Sequence, residues 1–241
     1  MIEQRVPLRQ RRDLRQIIEA SLQLYGQSFS PLFLVAATVV PVGLAAAVFQ
    51  STGGGLAVNL IAVGIGALDV LVNILAAAAL IAALNDLDSG QTPTFSRAYD
   101  VAFERAPEIF RAVLRVAFHV LLFAVTIVGI PWAILRSIRW LFIEQAIMLD
   151  GASAKESLST SAAAVEGSWW RTLGIWLVIL IVIAIPSGFI NALFLLTPTL
   201  VAGTVSAFLN ALALPFTTCA ITMLYFDLKA RKEPDDVVSS A

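Results

Sequence analysis

VNLIAVGIGALDVLVNILAAAALIAAL (58–84) carries one charged residue, Asp69, in an otherwise apolar run. As a helix rising 1.5 Å per residue, a run of this length exceeds the roughly 30 Å hydrocarbon core of a bilayer. Runs at 29–49, 109–130, 131–149, 172–195 and 198–225 have the same character, which makes six expected spans. The connections QSTGGG (50–55), GIP (129–131) and LLTPTL (195–200) contain no Lys, Arg, Asp or Glu. Arg5, Arg9, Arg11, Arg12 and Arg15 precede the first span, Arg97 and Arg105 separate the second from the third, and Arg111 and Arg115 open the third. Lys155 and Arg171 lie between the fourth and fifth, and Lys229, Arg231 and Lys232 follow the sixth. The excess of cations in cytoplasmic loops places both termini inside and makes this a multi-pass plasma-membrane protein.

The 241 residues are 59% hydrophobic and 14% charged. Soluble domains average about 45–50% apolar and about 25% charged, so composition agrees with the spans. The single Cys219 and single His119 exclude a disulfide framework, a Cys-based metal site and any site needing two His ligands. Residues 1–27 are too long and too charged to be the start of a cleaved signal, so the first span is expected to be retained. The expected organisation is a basic arm with an amphipathic helix at 1–27, a membrane domain at 28–226, and a cytoplasmic tail at 227–241 that is disordered at its end.

Each cytoplasmic connection reads as a short amphipathic helix. Helix 14–25 sets Leu14, Ile17, Ile18, Leu22 and Tyr25 against Arg12, Arg15, Glu19 and Gln23. Helix 95–106 sets Phe95, Ala98, Tyr99, Ala102 and Phe103 against Arg97, Asp100, Glu104 and Arg105, and helix 153–166 sets Leu158, Ala162 and Val165 against Lys155, Glu156 and Glu166. Such stripes suit the headgroup plane or the ends of the spans. The fold class is therefore an all-α integral membrane bundle of six spans with three cytoplasmic surface helices, and it suggests a threefold repeat of surface helix, span, span.

The segment RWLFIEQAIMLDGASAKESLSTSAAAVEGSWWRTLG (139–174) resembles the bacterial membrane domain found in glycerophosphoryl diester phosphodiesterases and related six-span membrane proteins of unknown function. The resemblance rests on Asp150-Gly151 ending an aromatic-rich span, on Glu156, Leu158 and Ser161 in a surface helix, and on Gly167, Trp169, Trp170 and Arg171. LRQIIEASLQLYGQSFSPLF (14–33) fits the start of the pattern. A catalytic barrel would need roughly 200 further soluble residues, so these residues are expected to correspond to the membrane part alone, with no activity carried over.

Asp69 is the sharpest candidate, with Gly66 and Asn73 on the same helical face. A carboxylate at mid-bilayer depth costs several kcal/mol unless hydrated, protonated or paired. One expectation is an ion pair with Arg136 or Arg139. The other is a hydrated transport site. Arg136, Arg139 and Glu144 form either a basic pocket for an anionic lipid headgroup or a set of snorkelling, mutually paired side chains. Trp169, Trp170 and Arg171 read as interfacial anchors. His119 reads as a packed residue, Asn191, Ser206, Asn210, Thr217 and Thr218 as interhelical hydrogen bonders, and Pro41, Pro186 and Pro215 as kink sites.

No phosphate loop, nucleophile elbow or metal cluster is present, so no enzyme and no cofactor is expected. The basic arm suits anionic lipid, with no nucleic acid as partner. The expected function is a non-enzymatic membrane module that anchors, scaffolds or assists a cytoplasmic-side protein partner acting on lipid or envelope material. The alternative is a small transporter or lipid-translocating protein using Asp69 and the span-four arginines. Water around Asp69 would favour the second, and a dry ion pair the first.

Overall fold

The computed structural model describes residues 7–52, 55–126 and 129–232, so the expectation of disorder at the end of the tail lies outside the described residues. Among these there are helices and no strand: α1 (Leu14–Gln27), α2 (Phe29–Ala36), α3 (Val39–Ser51), α4 (Leu56–Asp88), α5 (Phe95–Ala124), α6 (Ile130–Arg139), α7 (Ile143–Asp150), α8 (Glu156–Val165), α9 (Trp169–Leu193) and α10 (Thr199–Ala230). Three of them, α4, α9 and α10, are long and apolar enough to cross a membrane, and α2 with α3 makes a fourth if that pair, bent by 43°, is one span. Only 11% of the apolar window of α9 is buried inside the protein. Its outward Ile181, Ile185, Phe189 and Leu193 therefore need an apolar solvent, which a bilayer supplies.

The expected count of six spans is not reached, and the reasons are local. The α2–α3 bend sits where Pro41, lacking an N–H, leaves the Ala37 carbonyl without its helical donor; Val40 N–H takes it instead at 3.1 Å. The other expected kink sites, Pro186 and Pro215, lie inside α9 and α10 without ending them. The expected surface helix 95–106 is not separate from the third span, because α5 runs through Pro107 as one helix of 30 residues. Its buried positions Ala98, Ala102, Ile109 and Ala112 keep one continuous helical phase across the proline, and that packed stripe outweighs the roughly 3 kcal/mol a mid-helix proline costs.

The expected fourth span, 131–149, is two helices. The ten residues of α6 rise about 15 Å, half a bilayer core. The break between α6 and α7 is bridged by Ser161 of α8: its hydroxyl donates to the Arg139 carbonyl at 2.8 Å and accepts the Phe142 N–H at 3.0 Å. Ser161 is fully buried, so no water can replace it. Ser161→Ala orphans two backbone groups and is expected to destabilise by about 1–3 kcal/mol, read as a lower thermal midpoint in detergent. A midpoint unchanged from wild type would show that the break needs no bridge. The tip of the α5–α6 hairpin exposes Leu121, Leu122, Val125, Ile130 and Trp132. The proposed threefold repeat fails at this middle unit, where the surface helix is fused and the second span is broken.

The two short amphipathic helices keep part of the expected apolar side inward, with Ile17 and Val165 buried and Ile18, Tyr25 and Leu158 against the core, and add small hydroxyl residues to it. α1 buries Ile17, Ser21 and Leu24 and leaves Leu14 and Leu22 exposed. α8 buries Ser157, Ser161, Ala164 and Val165, with Leu158 only half-buried. Small hydroxyl side chains allow close approach and find partners there: Ser21 Oγ lies 3.3 Å from Met223 Sδ on α10. Glu156 starts α8 by accepting the Ser153 hydroxyl at 2.7 Å and the Ser153 N–H at 3.1 Å, which holds its carboxyl below the usual range.

α10 is the axis of the bundle, and its second half is buried almost continuously from Pro215 to Leu228. The expected tail beginning at residue 227 is corrected here, since the helix continues to Ala230 and Asp227 is fully buried. Asp227 accepts the Arg12 backbone N–H at 2.8 Å, Arg171 at 3.0 Å and Arg231 at 2.9 Å. Both arginines also donate to the Arg12 carbonyl, at 2.6 and 3.1 Å. The Arg12 guanidinium folds back on the carbonyls of Leu8, at 2.9 Å, and Pro7. Burial lowers its pKa, opposed by Asp227 and Asp88. Asp88 at the end of α4 pairs with Arg9, and Asp86 with Arg97. Residues 8–12 of the basic arm thus form a strap that ties α9, α10 and α4 together at one end.

Candidate functional site

At the heart of the apolar part, α3 and α10 run against each other through matching Gly-x-x-x-Ala pairs. A Cβ built on Gly43 would lie 2.7 Å from the Ala207 Cβ, and one built on Gly203 would lie 2.5 Å from the Ala47 Cβ. Only glycine permits that approach. The contact draws the backbones of α3 and α10 together and leaves a cleft of about 630 Å³ where α4 completes the corner.

The cleft is lined by Gly43, Ala46, Ala47 and Gln50 of α3, by Gly66, Asp69, Val70, Asn73 and Ile74 of α4, and by Gly203, Ser206, Ala207 and Asn210 of α10. Asn210 Nδ2 donates to Asn73 Oδ1 at 2.9 Å, joining α10 to α4. Asn73 Nδ2 donates back to the Asp69 carbonyl at 2.9 Å. Ser206 Oγ donates to Asn191 Oδ1 of α9 at 2.7 Å and to the Ala202 carbonyl at 3.0 Å. Two separate polar links result, Asn73–Asn210 between α4 and α10 and Ser206–Asn191 between α10 and α9. Among the described residues the Asp69 carboxylate has neither an ion pair nor a hydrogen-bond donor, and Asp69 is half-exposed to the cleft.

The expected alignment of Gly66, Asp69 and Asn73 on one face appears as one wall of the cleft. Arg136, Arg139 and Glu144 do not join it. Arg136 lies with its guanidinium 5.2 Å from the centre of the Trp140 ring, and His119 meets the same ring edge-on while its Nδ1 bonds the Arg115 carbonyl at 2.6 Å. Arg139 is exposed on α6 and Glu144 half-buried on α7, and neither arginine is within ion-pair distance of Asp69. The expected Asp69–arginine pair is therefore absent among the described residues, because the α6–α7 break removes the straight span that was to carry both cations past Asp69.

Trp169, Trp170 and Arg171 separate in role. Trp170 is 80% exposed, Trp169 donates to the Leu135 carbonyl at 3.4 Å, and Arg171 turns inward to Asp227. The Asp150-Gly151 pair ends α7: Gly151 adopts a left-handed conformation, φ 68°, and Asp150 accepts Lys229 at 2.8 Å and the Tyr225 hydroxyl. Among the described residues no group of three or more His, Cys, Asp or Glu side chains could hold a metal ion. Asn191, Ser206 and Asn210 make the interhelical hydrogen bonds the sequence suggests, while the place of Ser206 and Asn210 with Gln50 in a cleft is signalled only by Gly203, Ser206, Ala207 and Asn210 sharing one stripe at helical spacing.

Comparison with known proteins finds no protein-family model, no curated protein and no solved structure that matches this chain.

Proposed function

We propose that this is a non-enzymatic, multi-pass membrane protein that binds a polar molecule within the bilayer at the α3–α4–α10 cleft, as the recognition step of a small transporter or lipid-translocating protein. The observation that carries this reading is the unpaired Asp69 carboxylate facing an open cleft. An ionised residue at mid-helix costs about 2.5–3.5 kcal/mol on insertion scales, so a packed scaffold would pair it or omit it. Both termini belong on the cytoplasmic side in this proposal. Four spans or six give the same answer, because either count is even and the cations stay together. The α5–α6 hairpin with its apolar tip then dips into the bilayer from the inner face, or crosses it under the six-span reading.

Water in the cleft is the test. In a Cys219→Ala background, Ser206→Cys should react with a polar maleimide, which needs a hydrated thiolate. Phe189→Cys on the outward face of α9 should stay unreacted. If Ser206→Cys is as inert as Phe189→Cys, the cleft is filled by lipid tails and the binding reading fails.

The second reading is a scaffold for a cytoplasmic-side partner working on lipid or envelope material. Two features support it: the ordered arm around Asp227, which builds a firm inner face, and the resemblance of segment 139–174 to membrane domains fused to phosphodiesterases. Co-purification of one partner from native membranes, abolished by Trp170→Ala and unaffected by Asp69→Asn, would favour it.

A further inference from the structure

We propose that the ligand of this cleft presents a primary ammonium group, with Asp69 as its counter-ion; the assignment rests on the binding reading above. The uncompensated charge of Asp69 points to that chemistry. Asn210 Nδ2 donates to Asn73 and Asn73 Nδ2 to the Asp69 carbonyl, while the single Ser206 proton serves Asn191 or Ala202. What remains without a partner among the described residues is the Gln50 amide, one N–H each of Asn73 and Asn210, Asn210 Oδ1 and the two Asp69 carboxylate oxygens, and of these only the carboxylate is charged. Among the described residues no Lys, Arg or His lines the cleft to neutralise Asp69 or to hold an anion. A group that compensates Asp69 must bring a positive charge and N–H donors to its two oxygens, and its other polar atoms can use the free amide groups of Gln50, Asn73 and Asn210.

Volume narrows the class further. A cleft of about 630 Å³ lies within the range of small-molecule sites and is far larger than a bare ion requires. The Gly43, Ala47, Gly203 and Ala207 wall is smooth and apolar, suited to the carbon skeleton behind the ammonium. Two sources supply such a group: the headgroup of an aminophospholipid, or a free amine reaching the cleft through water.

The experiment uses the full chain in nanodiscs of phosphatidylglycerol, which lacks an amine. One arm adds ethanolamine to the buffer, and the other replaces a fraction of the lipid with phosphatidylethanolamine. Retained ligand is measured by native mass spectrometry in wild type, Asp69→Asn and Asn210→Ala. Wild type should retain the amine in at least one arm, and the arm identifies the source. Asp69→Asn should weaken retention roughly tenfold or more, as expected for losing a partly desolvated charge pair. Asn210→Ala, which keeps the charge, should weaken it by a few-fold and serves if Asp69→Asn does not fold. Retention unaffected by either substitution, or phosphatidylglycerol held as well as the amine, would overturn the assignment. No retention in either arm while Ser206→Cys reacts with maleimide sinks the ammonium assignment alone, and no retention with an inert Ser206→Cys sinks the binding reading as well.

Discussion

Gly203→Leu is expected to prevent α3 from docking on α10 and to abolish a cooperative thermal transition in detergent. Even a methyl at this position would lie 2.5 Å from the Ala47 Cβ and 3.1 Å from its Cα, so backbone has to move. Gly203→Ala should cost about 1–3 kcal/mol, the usual range for overpacking a filled contact. The opposing position gives a clean check, because Ala47→Gly removes the obstructing methyl and should recover most of the loss in the double variant. Gly64→Ala is the control: nothing lies within 4 Å of a Cβ there, and alanine improves helix propensity by about 0.5–1 kcal/mol. A Gly203→Ala protein as stable as Gly64→Ala would mean that α3 and α10 do not approach as closely as described. The same contact shapes the cleft, so any ligand retention should fall with it.

Asp227→Ala should release the N-terminal arm. Removing one member of a buried charge cluster costs about 3–5 kcal/mol, because the remaining charges stay desolvated. Arg171 and Arg231 keep 29% and 34% of their side-chain surface in water, so the lower end, about 3 kcal/mol, is expected. The arm loses more than an ion pair, since the same carboxylate holds the Arg12 N–H. Trypsin therefore reports the change. Arg12 is 2% exposed and should resist cleavage in the native protein, whereas Asp227→Ala should be cut after Arg12 and melt at lower temperature. Asp227→Asn keeps an acceptor for the Arg12 N–H and should fall between the two. Equal proteolysis of wild type and Asp227→Ala would show that the arm is not held by this carboxylate.

These two contacts act on opposite ends of one molecule. The glycine contact sets the shape of the cleft around Asp69. The Asp227 cluster gathers α9, α10 and the arm, whose Arg9 reaches Asp88 at the end of α4. The axis between them is α10, which carries Gly203, Ser206 and Asn210 toward one end and Asp227 at the other. The cleft and the Asp227 strap thus lie on one helix.

Much of the helical plan is legible along the chain. The runs that became α4, α9 and α10 are too long and apolar to mistake, and the periodicity that puts Gly66, Asp69 and Asn73 on one face needs no partner to be read. The misreadings have a common origin. The fused α5 depends on a stripe, Ala98 to Ala112, whose packing outweighs Pro107. The broken fourth span depends on Ser161, nearly twenty residues downstream, offering a hydroxyl to backbone that hydropathy treats as uninterrupted. The inward faces of α1 and α8 keep Ile17 and Val165 of the hydrophobic stripes and add Ser21, Ser157 and Ser161, whose small size permits close approach and which a hydrophobic stripe passes over.

Sequence by itself determined that the protein is helical, rich in spans and charged at one end, because these follow from solvation and from spacing within single elements. Which polar groups meet was decided only by the tertiary structure. Among the described residues Asp69 meets no arginine, Asp227 meets Arg171 and Arg231, and Asn210 finds Asn73, since which groups meet is set by where helices distant along the chain come to rest against one another.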